Sequence, residues 1–133
     1  MSSTVSTPEA FIESFPATPV KIEGQPNYDS LSALREVLKQ NAASVSTDRG
    51  GGQHGYLGII LSDAMYTTIA PNDAFVRPAA PANTPTIPAG GTAAAIAEAV
   101  RLHADELRQW REYVNLTAAL RLQLVKCIEP VYL

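Results

Sequence analysis

The sequence contains a single cysteine, few charged residues and no long apolar run. One cysteine excludes an intramolecular disulfide, which fits a reducing compartment. The polar stretch 1–8 lacks the apolar segment of a secretory signal, and no apolar run approaches the about 20 residues that a membrane span needs. We therefore expect a cytoplasmic protein with no membrane partner.

Basic charge is sparse as well. Charged residues make up 17% of the chain, and the formal net charge is -3. Binding to the phosphates of nucleic acids or anionic lipids requires clustered lysine and arginine side chains. The ten basic residues are scattered along the sequence. We therefore expect no direct binding to nucleic acid or to a membrane surface.

The glycine-rich stretch 50–58 satisfies the G-x-G-x-x-G pattern of dinucleotide-binding proteins. That pattern identifies a phosphate-binding turn only when it follows a strand and begins a helix. Here it follows a predicted helix and precedes an apolar run. The order of elements is wrong, so we predict no nucleotide cofactor.

Side chains that ligate metals or act as nucleophiles are isolated from one another. His54, His103 and Cys127 have no spacing typical of a zinc site. No G-x-S-x-G turn is present, and Cys127 lies in an apolar helical pattern typical of a small core residue. We predict no metal, no cofactor and no catalytic residue, and hence a protein that is not an enzyme.

The periodicity predicts a mainly α protein, with an extended N-terminal arm over residues 1–26 and a single helical domain over residues 27–133. Four prolines block a long helix in the arm: Pro8, Pro16, Pro19 and Pro26. The arm is nevertheless too apolar for a solvated tail. Two interpretations remain open: the arm packs on its own domain, or it docks on a neighbouring copy.

Within the domain, apolar residues recur at spacings of three and four over residues 27–46, which predicts an amphipathic helix beginning at Asn27 or Ser30. A glycine-rich turn follows over residues 50–58. The apolar run 56–61 fits a buried strand or a buried extended segment. Ser62 then suits the N-cap of a short helix that ends near Ile69.

A proline-rich irregular loop is predicted over residues 71–91, with Phe75 and Val76 anchoring its start to the core. A long C-terminal helix is predicted over residues 92–129, with a break near 114–117 where helix formers are weak. One face of this helix carries Ile96, Val100, Leu107, Trp110 and Val114, with His103 on or near it, and a second stripe carries Leu116, Leu120, Leu124 and Ile128.

With chemistry unsupported, protein–protein contact is the remaining class of function. Most aromatic side chains should be core residues, and the others are candidate interface anchors. The candidate interface residues are Phe11, Phe15, His54, Tyr56, Arg77, Pro81, Pro85, Trp110, Tyr113 and Tyr132.

Two motifs carry a resemblance to a known family: the stretch GGGQHGYLG at 50–58 and the helix entry IPAGGT at 87–92. Together with the helix order over residues 20–133, the chain resembles the N-terminal Gag region of copia-type retrotransposon polyproteins of algae and related microbial eukaryotes. The resemblance implies a capsid-like helical protein that self-assembles into shells through weak contacts between copies. It marks no catalytic residue.

In such polyproteins, further Gag helices follow the equivalent of residues 129–133, and they are expected partners of this region. No Cys-Cys-His-Cys zinc knuckle is present in the sequence, so the resemblance assigns RNA packaging to another part of the polyprotein. The alternative function is a non-enzymatic adaptor that binds a peptide or protein through the proline-rich loop or the groove beside the long helix.

Overall fold

The computed structural model describes residues 7–45, 54–72 and 75–133. The α-helices are α1 (Pro8–Ser14), α2 (Tyr28–Ala43), α3 (Asp63–Ile69) and α4 (Ala93–Cys127). Two 3₁₀ turns occupy Leu57–Ile59 and Pro130–Tyr132, and no strand occurs in these described ranges. The predicted mainly α class is confirmed.

The helix starts follow from the capping residues. The Asn27 side chain accepts a hydrogen bond from the Ser30 N–H at 2.8 Å, and the Ser30 hydroxyl accepts one from the Asn27 N–H at 2.9 Å. This reciprocal box satisfies two N–H groups that a helix leaves free. Ser62 and Thr92 cap α3 and α4 in the predicted positions.

The main core lies where α1 and α2 pack against the C-terminal half of α4. Its buried apolar residues are Phe11, Phe15, Ile22, Leu34, Leu38, Ala42, Tyr56, Leu116, Ala119, Leu120, Cys127 and Ile128. A smaller cluster beside it contains Leu57, Leu61, Tyr66 and Ala70, and the half-buried Phe75 packs on both. Tyr28 and Leu31, which begin the apolar stripe predicted over residues 27–46, are exposed instead.

The N-terminal segment differs from the extended arm that we expected. Residues Pro8–Ser14 form a helix. Pro8 lies in its first turn, where a backbone N–H would have no acceptor within the helix, so the absence of that N–H in proline costs nothing. Phe11 and Phe15 are buried in the main core, so the described part of the arm packs on its own domain. Seven residues of helix fit before Pro16, which explains why the prolines did not exclude this element.

The apolar run after the glycines is also not the strand or extended segment that we expected. Leu57–Ile59 form a 3₁₀ turn. Gly55 has a positive φ of 52°, and a Cβ there would collide with the carbonyl oxygens of Ala43 and Val45. Glycine is therefore required for the chain to turn this closely against the end of α2. Residues 46–53, which include Gly50 and Gly52, lie outside the described ranges.

The expected break in the long helix is wrong, because α4 runs unbroken from Ala93 to Cys127. The Thr117 hydroxyl donates to the Tyr113 carbonyl at 2.8 Å within the helix. Leu116 and Leu120 are buried in the core next to it. Tertiary packing here outweighs the weak helix propensities of Asn115 and Thr117.

The proline-rich segment is irregular from Phe75 to the start of α4, as predicted. Phe75 anchors its start, since its ring lies 6.1 Å from that of Tyr56 and 5.7 Å from that of Tyr66. Val76 does not share this role, because its side chain is exposed. Arg77 adds the second anchor by donating to the Gly58 carbonyl at 3.0 Å and to Asp63 at 2.8 Å.

A buried amide joins three parts of the chain. Asn41 on α2 is fully buried. Its Oδ1 accepts from the Ala17 N–H at 3.0 Å, and its Nδ2 donates to the Ala17 carbonyl at 3.0 Å and to Gln123 Oε1 on α4 at 2.9 Å. The N-terminal segment, α2 and α4 are therefore held by one side chain with all its bonds inside the protein.

Replacing this amide should be costly. We expect Asn41→Ala to lower the free energy of unfolding by about 2–4 kcal/mol, because buried partners on Ala17 and Gln123 lose their bonds. Urea denaturation followed by circular dichroism measures the change. Asn83→Ala, in the exposed part of the loop, is the matched control and should change stability by less than about 0.5 kcal/mol. Equal stabilities of the two variants would contradict the role of Asn41.

Candidate protein interface

The long helix α4 is packed at only one end. Its 35 residues span about 52 Å. The buried residues of α4 are Gln109, Leu116, Ala119, Leu120, Gln123 and Cys127. No residue from Ala93 to Arg108 is buried. The N-terminal half of α4 therefore contributes little to the core of its own domain.

An apolar stripe runs along the outer side of this helix. We call it the α4 seam, and its residues are Ile96, Val100, His103, Leu107, Trp110 and Val114. Val100 is 48% exposed, Val114 41% and Ile96 37%, while the other three are half-buried. At about 100° per residue, the seam lies on the opposite side of the helix from the buried stripe. Large apolar side chains are thus directed away from the core.

The spacing within the α4 seam alternates between four and three residues. This is the period of 3.5 residues by which one helix follows another in a coiled coil. The core stripe of α4 instead includes the neighbouring positions Ala119 and Leu120, as a helix packed on a globular core does. The seam pattern therefore favours a helix as its partner.

The proline-rich loop lies along one flank of the seam. His103 Nε2 is 2.6 Å from the Ala82 carbonyl oxygen. Between loop and helix is an open groove of about 230 Å³, lined by Ala82, Thr84, Thr86, Ala99, Leu102, His103 and Glu106. On the other flank Ala97, Ala104 and Arg111 are exposed. One side of the seam is therefore bordered by the loop and the other is open.

Most of the charges on α4 are paired within the helix. Arg101 donates to Glu98 at 2.6 Å, and this bond holds the pKa of the Glu98 carboxyl below its usual range and raises that of Arg101. Arg108 lies 3.2 Å from Asp105 and 3.6 Å from Glu112. These pairs occupy the side of the helix away from the seam.

Two exposed charges border the seam and lie outside these pairs. Glu106 and Arg111 make no ion pair or hydrogen bond within the described ranges 7–45, 54–72 and 75–133. They lie on opposite flanks of the seam, five residues apart. Both are available to a group outside this chain.

The seam ends next to an aromatic group. The Trp110 ring lies 6.1 Å from that of Tyr113, and the Tyr56 ring lies 6.4 Å from that of Tyr113. The Tyr56 hydroxyl donates to Glu112 at 2.9 Å. Trp110 is therefore held against a side chain that itself packs on the core, which limits its motion at the surface.

The predicted interface residues fall into three sets. Contrary to the prediction, Phe11, Phe15 and Tyr56 are buried in the core and offer no exposed surface to a partner. Trp110 and Tyr113 lie at the seam. The remaining candidates lie elsewhere: His54 packs edge-on against Tyr66 at 6.3 Å, Arg77 anchors the loop, Pro81 and Pro85 are half-buried within it, and Tyr132 is exposed in the last turn.

The interface residues predicted from the sequence do not include two charged residues that border the seam. Glu106 and Arg111 look like ordinary solvated charges among several others on the helix. The signal that identifies them is their register relative to the alternating spacing of Val100, Leu107 and Val114. That signal becomes visible only when the face carrying these residues is known to point away from the core.

Cys127 is a small core residue, as predicted. Its thiol is buried, and burial raises its pKa. The described residues contain no group of three or more His, Cys, Asp or Glu side chains placed to hold a metal ion. None of the helices described is both long and apolar enough to cross a membrane.

Comparison with known proteins adds no relative. No family model, no curated protein and no solved structure matches the chain.

Uneven packing along α4 should be visible in hydrogen exchange. In dilute solution we expect the amides from Ala97 to Arg108 to exchange faster than those from Leu116 to Cys127, because only the second half is covered by a core. Exchange followed by mass spectrometry of peptides from the two halves measures the difference. Equal protection of both halves at low concentration would contradict the description of a half-packed helix.

Proposed function

We propose that this chain is a structural self-association module whose copies assemble through the α4 seam, and that it has no catalytic role. The observation that carries the proposal is the apolar stripe on the outside of a half-packed helix, in which Ile96, Val100 and Val114 are exposed. A helix of this kind gains most of its stability from tertiary packing of its apolar face. A partner helix on the seam would supply that packing.

The size of the seam predicts a weak individual contact. It spans Ile96 to Val114, which is fewer than three heptads. Full burial of a valine or leucine side chain contributes about 1.5–3 kcal/mol, whereas association costs about 4–15 kcal/mol in lost freedom of motion. The free energy gained by burying a few partly exposed side chains therefore exceeds this cost by only a small amount. Strong assembly then requires many copies of the contact in one particle.

A capsid-like role accounts for weak, repeated contacts. The chain resembles the N-terminal Gag region of copia-type retrotransposons in its GGGQHGYLG and IPAGGT motifs. We propose that it contributes to a particle in the same way, with the further Gag helices of such polyproteins as additional partners. Its scattered basic residues and net charge of -3 support contacts between proteins in preference to contacts with RNA.

A second candidate function has its own supporting observation. The groove of about 230 Å³ between the proline-rich loop and α4 is open to solvent and has mixed polar and apolar walls. A peptide seated there would make the protein an adaptor. Such binding depends on the loop flank and leaves the exposed valines of the seam unused, so the two functions respond to different substitutions.

Polar substitution of the seam tests the proposal. We expect Val100→Glu together with Val114→Glu to raise the dissociation constant for self-association by at least about tenfold, because each copy in a complex loses apolar burial and gains a charge to desolvate. Light scattering over a concentration series measures association. The emission of Trp110, the only tryptophan, should shift to shorter wavelength as the unaltered chain associates.

Val20→Glu is the matched control, since Val20 is 83% exposed and its segment contacts α4 near Cys127, at the end of the helix away from the seam. It should associate like the unaltered chain. Circular dichroism should show unchanged helix content in all variants, because the substituted side chains are exposed. Equal association of the seam variant and the control would contradict the proposal.

A further inference from the structure

The α4 seam can be assigned coiled-coil positions. Val100, Leu107 and Val114 recur every seven residues and take position a, and Ile96, His103 and Trp110 take position d. The flanking g positions are Ala99, Glu106 and Tyr113, and the flanking e positions are Ala97, Ala104 and Arg111. Glu106 and Arg111 are thus the only charged residues that border the seam.

We infer that the partner on the α4 seam is a second copy of the same helix, parallel and in register, with Glu106 of each copy facing Arg111 of the other. This inference rests on the proposed function and adds the partner and its orientation. In a parallel pair, a g residue lies beside the e residue five positions later on the other helix. Glu106 and Arg111 have that separation and opposite charges.

The antiparallel arrangement lacks this complementarity. In an antiparallel pair centred on the middle of the seam, Val100 packs against Trp110 of the other copy and His103 packs against Leu107. Residues at g then face residues at g, so Glu106 lies opposite Glu106 of the other copy, while Arg111 faces Ala97. Like charges repel and the arginine has no counterion. The charges therefore select the parallel orientation.

The in-chain partners of the neighbouring charges support the same assignment. Arg101 and Arg108 are each paired with acidic residues of their own helix, on the side away from the seam. Glu106 and Arg111 have no such partner in the described ranges and are exposed. On the open flank the remaining residues are Ala97 and Ala104, whose small side chains allow a second helix to approach closely. On the other flank Ala99 lines the groove beside the proline-rich loop.

A disulfide between copies tests the orientation. In the parallel pair, Val100 faces Val100 of the other copy, so Val100→Cys should give a covalent dimer under mild oxidation. In the antiparallel pair the two cysteines would be about 15 Å apart along the helices, beyond the about 7 Å between Cα atoms that a disulfide permits. Glu98→Cys, on the side away from the seam, is the matched control and should give little covalent dimer.

The unaltered chain serves as a second control, because its thiol, Cys127, is buried. Non-reducing gel electrophoresis measures the covalent dimer. Covalent dimer from Val100→Cys in clear excess over both controls is the expected result. Equal yields from Val100→Cys and Glu98→Cys would overturn the parallel arrangement.

Charge reversal tests the pairing itself. In the parallel pair, Glu106→Arg and Arg111→Glu should each raise the dissociation constant by about tenfold, because each brings like charges together at two symmetric places. The double variant restores opposite charges and should associate like the unaltered chain. In the antiparallel pair, Arg111→Glu would have little effect, since that position faces alanine.

The outcomes separate this inference from the proposed function. The unaltered chain could associate, and Val100→Glu together with Val114→Glu could weaken that association, without the disulfide or the charge rescue being observed. That result would overturn the parallel arrangement and leave self-association standing. A chain that stays monomeric at all concentrations would overturn both.

Discussion

The fold depends on the buried amide of Asn41. Its bonds to Ala17 and Gln123, together with the hydrogen bond that the Ile22 N–H donates to the Cys127 carbonyl at 2.7 Å, fix how the N-terminal segment lies across α2 and α4. Apolar contacts are non-directional, so they alone allow several ways to place α1 on the core. The fully bonded amide favours a single placement of α1, because any other placement leaves buried donors and acceptors unpaired. The C-terminal half of α4 is thereby committed to its own domain, and the N-terminal half remains without a core.

This division of α4 gives the protein its surface. One helix carries two apolar stripes: one follows the period of a globular core near its end, and the other follows the coiled-coil period on its outer side. The proline-rich loop, anchored by Phe75 and Arg77, borders the outer stripe without covering its exposed valines. Most of the outer stripe lies on the half of α4 that has no core of its own to pack on.

Much of the fold could be predicted from local patterns. The caps at Ser62 and Thr92, the irregular loop and the mainly α class follow from local chemistry and periodicity. The continuity of α4 at Asn115 and Thr117 could not be predicted, because it depends on core packing distant in sequence. The seam illustrates the same limit: its residues were recognised as one face, but no local signal says whether a face points inward or outward. For the same reason, the sequence does not distinguish the buried Phe11, Phe15 and Tyr56 from exposed aromatic residues.

The central claim is that copies of this chain associate through the outer face of α4. Sedimentation equilibrium of the unaltered chain, from micromolar to the highest attainable concentration, tests it most directly. We expect a reversible rise in average mass with concentration, beginning with a dimer. A single monomeric mass over the whole series would show that copies do not associate through this face.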